Sequence, residues 1–352
     1  MTSDDIFENC THRFPIEHVY KNCTNTTNQC ELIQNLYSAR MVFHWLNLYL
    51  STFCFVVSAI LNIYCLFTTV YIFHNLSDEI RKHYVFVLSR FLSSIFAVVS
   101  LLTMEKVLYL ETSPVSFTFY AIGFSVYNFS MDSLLLSYIM ISLITYFGVV
   151  HPGFYRNNIT LRSLYITLGF IWIGSLSIAI PLSLYQSAIN APGPIECDLH
   201  YCAKVVEWIT FSFVCLALSL TILLTAFVLV SLYWYHFKAK KNGIEIPKVT
   251  ARARIRLTWT FFALIVFSIV ELFPEGIVIV SDQYDLNTCE SFYAADKLLV
   301  QTIVNSLETF MGSVVFMADP IMNIFFDKNI SQTVKLQLTW IKKKLSMSPP
   351  KK

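Results

Sequence analysis

A few ionisable side chains stand well inside the long apolar runs of this 352-residue sequence. If those runs cross a bilayer, each charge costs roughly 3 kcal/mol or more, so it must be paired, neutralised or used. The chemistry open to such groups is ion pairing within the protein, or binding of a cationic or hydrogen-bonding ligand. One of the groups is basic and five are acidic: Arg90, and Asp132, Glu271, Glu275, Glu308 and Asp319.

Arg90 and Asp319 stand at matching depths in two different runs. Arg90 is six residues from the start of the second run, about 9 Å deep, and Asp319 is six residues from the end of the seventh. An ion pair between them would offset both desolvation costs. In the alternative, Arg90 extends to the headgroups and Asp319 is protonated. If the pair forms, we expect a structural lock linked to activation rather than a ligand site.

The other acids are candidates for ligand binding. Glu271 and Glu275 flank Pro274, and their spacing of four places them on one helix face. Facing inward they could hold a cationic or hydrogen-bonding ligand; protonated, they could instead bond to neighbouring helices. For Asp132 and Glu308 the second interpretation is favoured. Tyr127 could line a cavity together with Tyr120 and Phe124, although an aromatic stripe at this spacing is more often plain helix packing.

The composition is that of an integral membrane protein. Hydrophobic residues make up 55% of the chain and charged residues 14%, whereas soluble domains carry about 25% charged residues. The net charge of +2 argues against nucleic acid as a partner. The sequence has no Gly-rich phosphate loop, no HExxH, no GxSxG and no metal-ligand cluster, so we expect no enzyme activity, cofactor or metal.

Seven apolar runs are long enough to cross a bilayer, which takes about 20 residues each. They predict an all-α, seven-helix membrane bundle over residues 43–325. The following segment, 326–345, has apolar residues at helical spacing and lysines off that face, which predicts an amphipathic helix on the cytosolic membrane surface. Residues 346–352 form a basic tail. The runs are 43–73, 84–108, 115–150, 164–185, 206–235, 257–280 and 298–325.

The polar segment 1–42 is predicted to be an extracellular, glycosylated tail of a plasma-membrane protein. Three sequons, headed by Asn9, Asn22 and Asn25, lie close to three cysteines. With this tail outside, eighteen Lys and Arg residues face the cytosol and six face outward, as the positive-inside rule requires. Six cysteines then face the oxidising side and are disulfide candidates in pairings that the sequence leaves open: Cys10, Cys23, Cys30, Cys197, Cys202 and Cys289.

Two motifs sharpen the interpretation of the bundle. Asp319-Pro320 with Asn323, followed by a surface helix, resembles the NPxxY end of the seventh helix of a G-protein-coupled receptor. Tyr146 to Pro152 resembles the second half of a DRYxxIxxP sequence at the inner end of the third helix. The resemblance extends over residues 43–345. It implies that a small extracellular molecule binds within the bundle and that the receptor signals to a heterotrimeric G protein.

The departures from the family pattern narrow the resemblance. Ile144-Thr145 replaces the acidic–arginine pair, Leu272 stands at the usual Trp, and no cysteine lies near the outer end of the third run. In a chain with 30 Phe and 19 Tyr, this erosion is similar to that of nematode serpentine chemoreceptors. The resemblance makes three arginines at the base of the sixth run candidates to face the G protein, with anionic lipid as the alternative: Arg252, Arg254 and Arg256.

A transporter or channel for a small solute or ion is the alternative function. Asp132 and Glu308 could then relay protons or bind a cation near the middle of the membrane. The odd number of runs and the lack of repeated halves argue against it. A membrane enzyme fits least.

Overall fold

A computed structural model describes residues 38, 41–110, 116–191, 193–195, 204–241, 265–266, 269 and 295–346. Within these residues the chain is helical and contains no strand. We number the helices α1 to α8 in chain order. Their bounds are α1 (Met41–Asn75), α2 (Asp78–Leu110), α3 (Phe117–Val150), α4 (Pro152–Asn158), α5 (Leu161–Asn190), α6 (Lys204–Lys241), α7 (Ala295–Phe326) and α8 (Lys328–Ser346).

Six of these helices are long and apolar enough to cross a membrane: α1, α2, α3, α5, α6 and α7. They coincide with six of the seven predicted runs, and their ends differ from the predicted ones by a few residues. The remaining run, 257–280, lies almost entirely outside the described residues. The all-α membrane bundle predicted from the sequence is therefore confirmed. Below, the inner end of the bundle means the end that carries α8, following the predicted orientation.

Local signals set several helix ends. Ser116 caps α3 by accepting a hydrogen bond from the Phe119 backbone N–H at 3.3 Å. Thr160 and Ser163 form a reciprocal capping box at the start of α5. Pro152 stands in the first turn of α4, where its missing N–H is not needed. These caps separate α3, α4 and α5 although the sequence is strongly helical throughout.

Helix α3 lies at the centre of the described bundle and packs against α2, α5 and α6. Small hydroxyl side chains lie at its contact with α2. Ser93 and Ser133 share a hydrogen bond of 2.7 Å, and Ser137 donates to Ser89 at 3.2 Å. Trp172 of α5 donates its indole N–H to the same Ser89 at 3.1 Å. Small residues allow helices to approach closely in lipid, which is why this seam is rich in serine.

The first turns of α1 were not anticipated. Residues His44–Ser51 form a π-helix rather than an α-helix, and Ser51 donates its hydroxyl to the Leu46 carbonyl at 2.8 Å. This segment packs against α7. A hydrophobic pattern alone does not predict such a segment, because the same apolar residues fit either helix type.

Helix α8 begins after Asp327, so Phe326, which we predicted to belong to it, is the last residue of α7. Asp327 is buried and caps α8 by accepting from the Asn329 and Ile330 backbone N–H groups at 2.9 and 3.1 Å. Ile330 is fully buried against α1 and α2. Tyr64 of α1 donates to Gln337 at 2.5 Å. That α8 lies on the membrane surface stays a prediction.

Candidate functional site

Arg90 of α2 and Asp319 of α7 form an ion pair inside the bundle. The distance from Arg90 Nε to Asp319 Oδ2 is 3.3 Å, and the side chains are only 7% and 14% exposed. The two atoms lack hydrogen-bond geometry, so the attraction is mainly between the charges. The contact predicted from the matching depths is thus confirmed, and Arg90 does not extend to the headgroups. Its role in switching stays a prediction.

Two further side chains complete the surroundings of Asp319. Tyr138 of α3 donates its hydroxyl to Asp319 Oδ1 at 2.7 Å, and the Arg90 guanidinium lies 4.8 Å from the centre of the Tyr138 ring. Asn323 donates to the Asp319 carbonyl at 2.7 Å and reaches its carboxylate at 3.5 Å. We call Arg90, Tyr138, Asp319 and Asn323 the ion cage; it joins α2, α3 and α7.

The carbonyl that Pro320 leaves without a helical partner is used by α1. Pro320 has no N–H to give to the carbonyl of Phe316, four residues earlier. Ser58 donates to this carbonyl at 2.8 Å and Asn62 at 3.3 Å. Both side chains are fully buried. One turn further inward, Cys65 of α1 approaches the Pro320 carbonyl at 3.8 Å. The proline therefore ties α7 to α1 at the level of the ion cage.

Sequence reasoning missed Tyr138, Ser58 and Asn62. A signal for Tyr138 was present, because it is eleven residues after Tyr127, about three helical turns, and so lies on the same face. Tyr127 and Tyr138 do pack against one buried cluster, which includes Phe55 of α1 and Phe316 of α7. Tyr127 therefore faces the bundle interior, as a cavity-lining residue would, although it is part of the core packing.

Asp132 is buried on α3, with 8% of its surface exposed. Its Oδ2 has no hydrogen-bond partner among the described residues, although we favoured a carboxyl group bonded to a neighbouring helix. Glu308 lies on α7. The remaining acids of the prediction, Glu271 and Glu275, lie outside the described residues.

The same holds for three other predicted groups. The sequons at Asn9, Asn22 and Asn25 are outside the described residues, as are Arg252, Arg254 and Arg256. So are all six cysteines that we expect in disulfides: Cys10, Cys23, Cys30, Cys197, Cys202 and Cys289. Three further cysteines lie within spans, where we expect them to pack as small apolar groups: Cys54 and Cys65 of α1 are buried, and Cys215 of α6 is half-buried.

Tyr146 and Pro152 lie where the α3 helix ends, at the inner end of the bundle. The Tyr146 ring contacts Phe147, His151 and Phe227 of α6, with centroid distances of 5.4, 5.8 and 5.6 Å. Pro152 begins α4 immediately afterwards. These positions agree with the resemblance to the end of a third receptor helix; the role of the two residues stays a prediction.

Helix α4 is fastened to the start of α2. Lys82 donates to the Tyr155 carbonyl at 3.2 Å and lies 4.7 Å from the centre of its ring. Tyr155 donates its hydroxyl to the Glu79 carbonyl at 2.8 Å. Burial and, to a lesser extent, the negative charge of Glu79 raise the pKa of Tyr155 to about 12, so the hydroxyl keeps its proton at neutral pH. The held helix leaves Phe154 exposed at the inner surface.

Comparison with known protein families identifies the bundle. The family model for seven-transmembrane receptors of the rhodopsin family matches residues 81–322, more than half of the chain. The chain belongs to this family. The matched region includes the whole ion cage except Asn323, and it includes α4 and the contact of its Tyr155 with Lys82.

Curated relatives point to the same class of protein. Three of them are Caenorhabditis elegans proteins, each named a "putative G-protein coupled receptor". B0244.5 is 32% identical over 93% of this chain and 90% of its own length. B0244.4 is 34% identical over 77% of this chain and 87% of its own length. B0244.10 is 63% identical over 57% of this chain, a match that spans only 34% of that relative.

Proposed function

We propose that this receptor is chemosensory. A small extracellular molecule binds within the bundle among α3, α6, α7 and the predicted sixth span. Binding favours one arrangement of the helices, and the inner end of the bundle then engages a heterotrimeric G protein. The receptor acts in the plasma membrane with its glycosylated tail outside and α8 in the cytosol.

The observation that carries this proposal is the ion cage. Its buried charge pair, with Arg90 and Asp319 at 3.3 Å, joins α2 to α7, and the Tyr138 hydrogen bond to Asp319 adds α3. Separating a buried pair costs on the order of 3–5 kcal/mol, so the joined arrangement is strongly preferred while the pair is intact. A ligand that moves α7 has to overcome this preference, and the cage is then the element that changes between two states.

The magnitudes are compatible with a small ligand. Reversing a two-state population from 1:99 to 99:1 requires about 5.5 kcal/mol of differential affinity. A ligand with micromolar affinity has about 8 kcal/mol of binding free energy. Most, but not all, of the ligand's binding free energy must therefore come from contacts that only the active arrangement offers.

The inner surface offers elements that could meet the G protein. Helix α4 is held in place by Lys82 and Tyr155 and exposes Phe154. Tyr146 and Pro152 lie at the junction of α3 and α4. We propose that Arg252, Arg254 and Arg256 add positive charge on the same side, with contact to anionic lipid as the competing role.

Expression in reporter cells tests the proposal directly. Cells carrying the receptor and a panel of Gα subunits are exposed to chemically diverse odorants and secreted metabolites, and nucleotide exchange on Gα is measured. We expect a response to at least one compound, and raised exchange without any compound in cells that express an equally abundant Arg90→Ala variant. Solute flux through reconstituted vesicles, with no exchange on any Gα subunit, would instead support the transporter or channel.

A further inference from the structure

We infer that Asp132 forms a second polar site, buried between α3, α5 and α6, which takes the ammonium group of a small organic cation. Asp132 is more than nine-tenths buried, and its Oδ2 has no hydrogen-bond partner among the described residues. An ionised carboxylate in this position is costly unless a cation or several donors approach it.

The register of α3 against α5 shows why no side chain of α5 donates a hydrogen bond to Asp132 Oδ2. One turn outward, Asn128 donates its amide to Ser183 at 3.0 Å and to Gln186 at 2.7 Å. The two helices run in opposite directions, so one turn inward from that contact places Asp132 level with Ala179. Ala179 is fully buried and has no polar side-chain atom to offer.

Helix α6 bounds the same region from the other side. Leu135, three residues after Asp132, packs against Ala217 and Leu218 of α6. Further inward, Ser142 and Thr225 share a hydrogen bond of 3.2 Å. This register places Asp132 on the part of α3 that lies between α5 and α6.

Among the described residues, no Lys or Arg side chain is placed to neutralise Asp132. The sequence has no Lys or Arg in residues 117–150, 163–190 or 205–237, which make up nearly all of α3, α5 and α6. Arg90, the one basic residue deep within the seven runs, is paired with Asp319. Without a cation from outside these helices, the carboxyl group therefore stays protonated.

Polar residues mark a route to this site from the outer side. Gln186 is four residues from the outer end of α5, and Asn128 and Ser183 lie between it and the level of Asp132. One turn inward of Ala179, the Ser175 hydroxyl is fully buried and also lacks a hydrogen-bond partner in the part of the chain that the structure describes. A single ammonium group has three N–H donors, enough to serve Asp132 and one of these neutral oxygens together.

This inference rests on the proposed function only in taking the cation to be an extracellular ligand. Its test needs no G protein. The full chain is placed in phosphatidylcholine nanodiscs, and its unfolding temperature is followed with increasing hexylammonium. Two compounds with the same chain but no cationic head, 1-hexanol and N-acetylhexylamine, serve as probes of nonspecific effects on the lipid.

We expect hexylammonium to raise the unfolding temperature and the two neutral compounds to leave it unchanged. Asp132→Asn keeps the size and removes the charge, so half-maximal protection should need at least ten times more hexylammonium. Ser130→Ala removes a fully buried oxygen on the opposite side of α3, where it donates to the Val126 carbonyl, without changing charge, and should stay within twofold of the parent chain.

Three results would overturn the inference: protection by 1-hexanol as strong as by hexylammonium, an Asp132→Asn variant protected like the parent, or a folded parent protected by no concentration of hexylammonium. If Asp132→Asn does not fold, infrared difference spectra of the ¹³C-aspartate-labelled parent decide. Hexylammonium should increase the carboxylate signal at the expense of the carboxylic acid, and an unchanged aspartate spectrum refutes the site. A receptor that activates a G protein while failing these tests would keep the proposed function and lose only the Asp132 site.

Discussion

Tyr138 of α3 donates its hydroxyl to Asp319 of α7 at 2.7 Å, while its ring lies 4.8 Å from the guanidinium of Arg90. One side chain thus contacts both members of the ion pair. Its hydroxyl stabilises the carboxylate and its ring the cation, and neither contact depends on the other. This permits the two contributions to be separated by substitution.

Tyr138→Phe should remove the hydrogen bond and keep the ring. A hydrogen bond to a charged group contributes about 1.5–3 kcal/mol, so we expect a lower unfolding temperature and higher ligand-independent exchange on Gα. Thermal unfolding of the purified receptor and basal nucleotide exchange measure the two effects. Tyr165→Phe, on the exposed face of α5, is the matched control and should change neither. A Tyr138→Phe receptor with parental stability would show that the hydroxyl is dispensable.

Removing either member of the ion pair should be more damaging. Arg90→Ala or Asp319→Ala leaves a buried charge alone, which costs on the order of 3–5 kcal/mol, so surface expression should fall. The exchange of Arg90→Asp with Asp319→Arg should recover part of the loss. Flow cytometry on intact cells measures it. A double exchange no better than the worse single variant, in protein that reaches the membrane, would mean that the contact contributes little.

We expect the Asp327 cap to stabilise the first turns of α8 without affecting the rest of the bundle. Asp327→Ala removes a cap, worth about 0.5–2 kcal/mol, and also the acceptor for Tyr84 at 2.7 Å. We expect faster amide hydrogen exchange in the first turns of α8 and little change in α3 or α5. Ser331→Ala, one turn into the same helix, serves as the comparison. Equal exchange in both variants would assign the stability of α8 to Ile330 and its neighbours instead.

The predicted orientation can be tested through the tail. Replacing Asn9, Asn22 and Asn25 by Gln should abolish a glycosidase-sensitive shift in electrophoretic mobility, because these are the sequons placed outside the cell. An epitope added before residue 9 should bind antibody on unpermeabilised cells. Binding only after permeabilisation would reverse the orientation, and with it the assignment of the inner surface.

The outer cysteines give a further test. No cysteine lies near the outer end of α3, so we expect the disulfide of this region to form elsewhere. Cys197 and Cys202 either bond to each other, or one of them bonds to Cys289 or to a cysteine of the tail. Mass spectrometry of alkylated, unreduced peptides identifies the partners. Alkylated thiols at both Cys197 and Cys202 would contradict the expectation.

The helices and the Arg90–Asp319 contact could be predicted from the sequence because each follows from the properties of an apolar medium. Long apolar runs can only be helices in lipid, and two opposite charges at equal depth in an apolar medium have few other solutions. Tyr138, Ser58 and Asn62 were missed because a hydroxyl or amide carries no comparable penalty and is common in helices of every kind. The π-helical start of α1 packs against α7, and no local pattern of the sequence distinguishes it from an α-helix.

The placement of the Asp327 cap has a mechanical consequence. Although α8 follows α7 directly in the chain, its first turn is fastened to Tyr84 of α2 and its middle to Tyr64 of α1. The inner end of α7 is therefore held in place by α1 and α2, through their contacts with α8. A displacement of the outer part of α7 cannot be passed on by sliding the whole helix. It has to be absorbed as bending at Pro320, next to the Arg90–Asp319 pair.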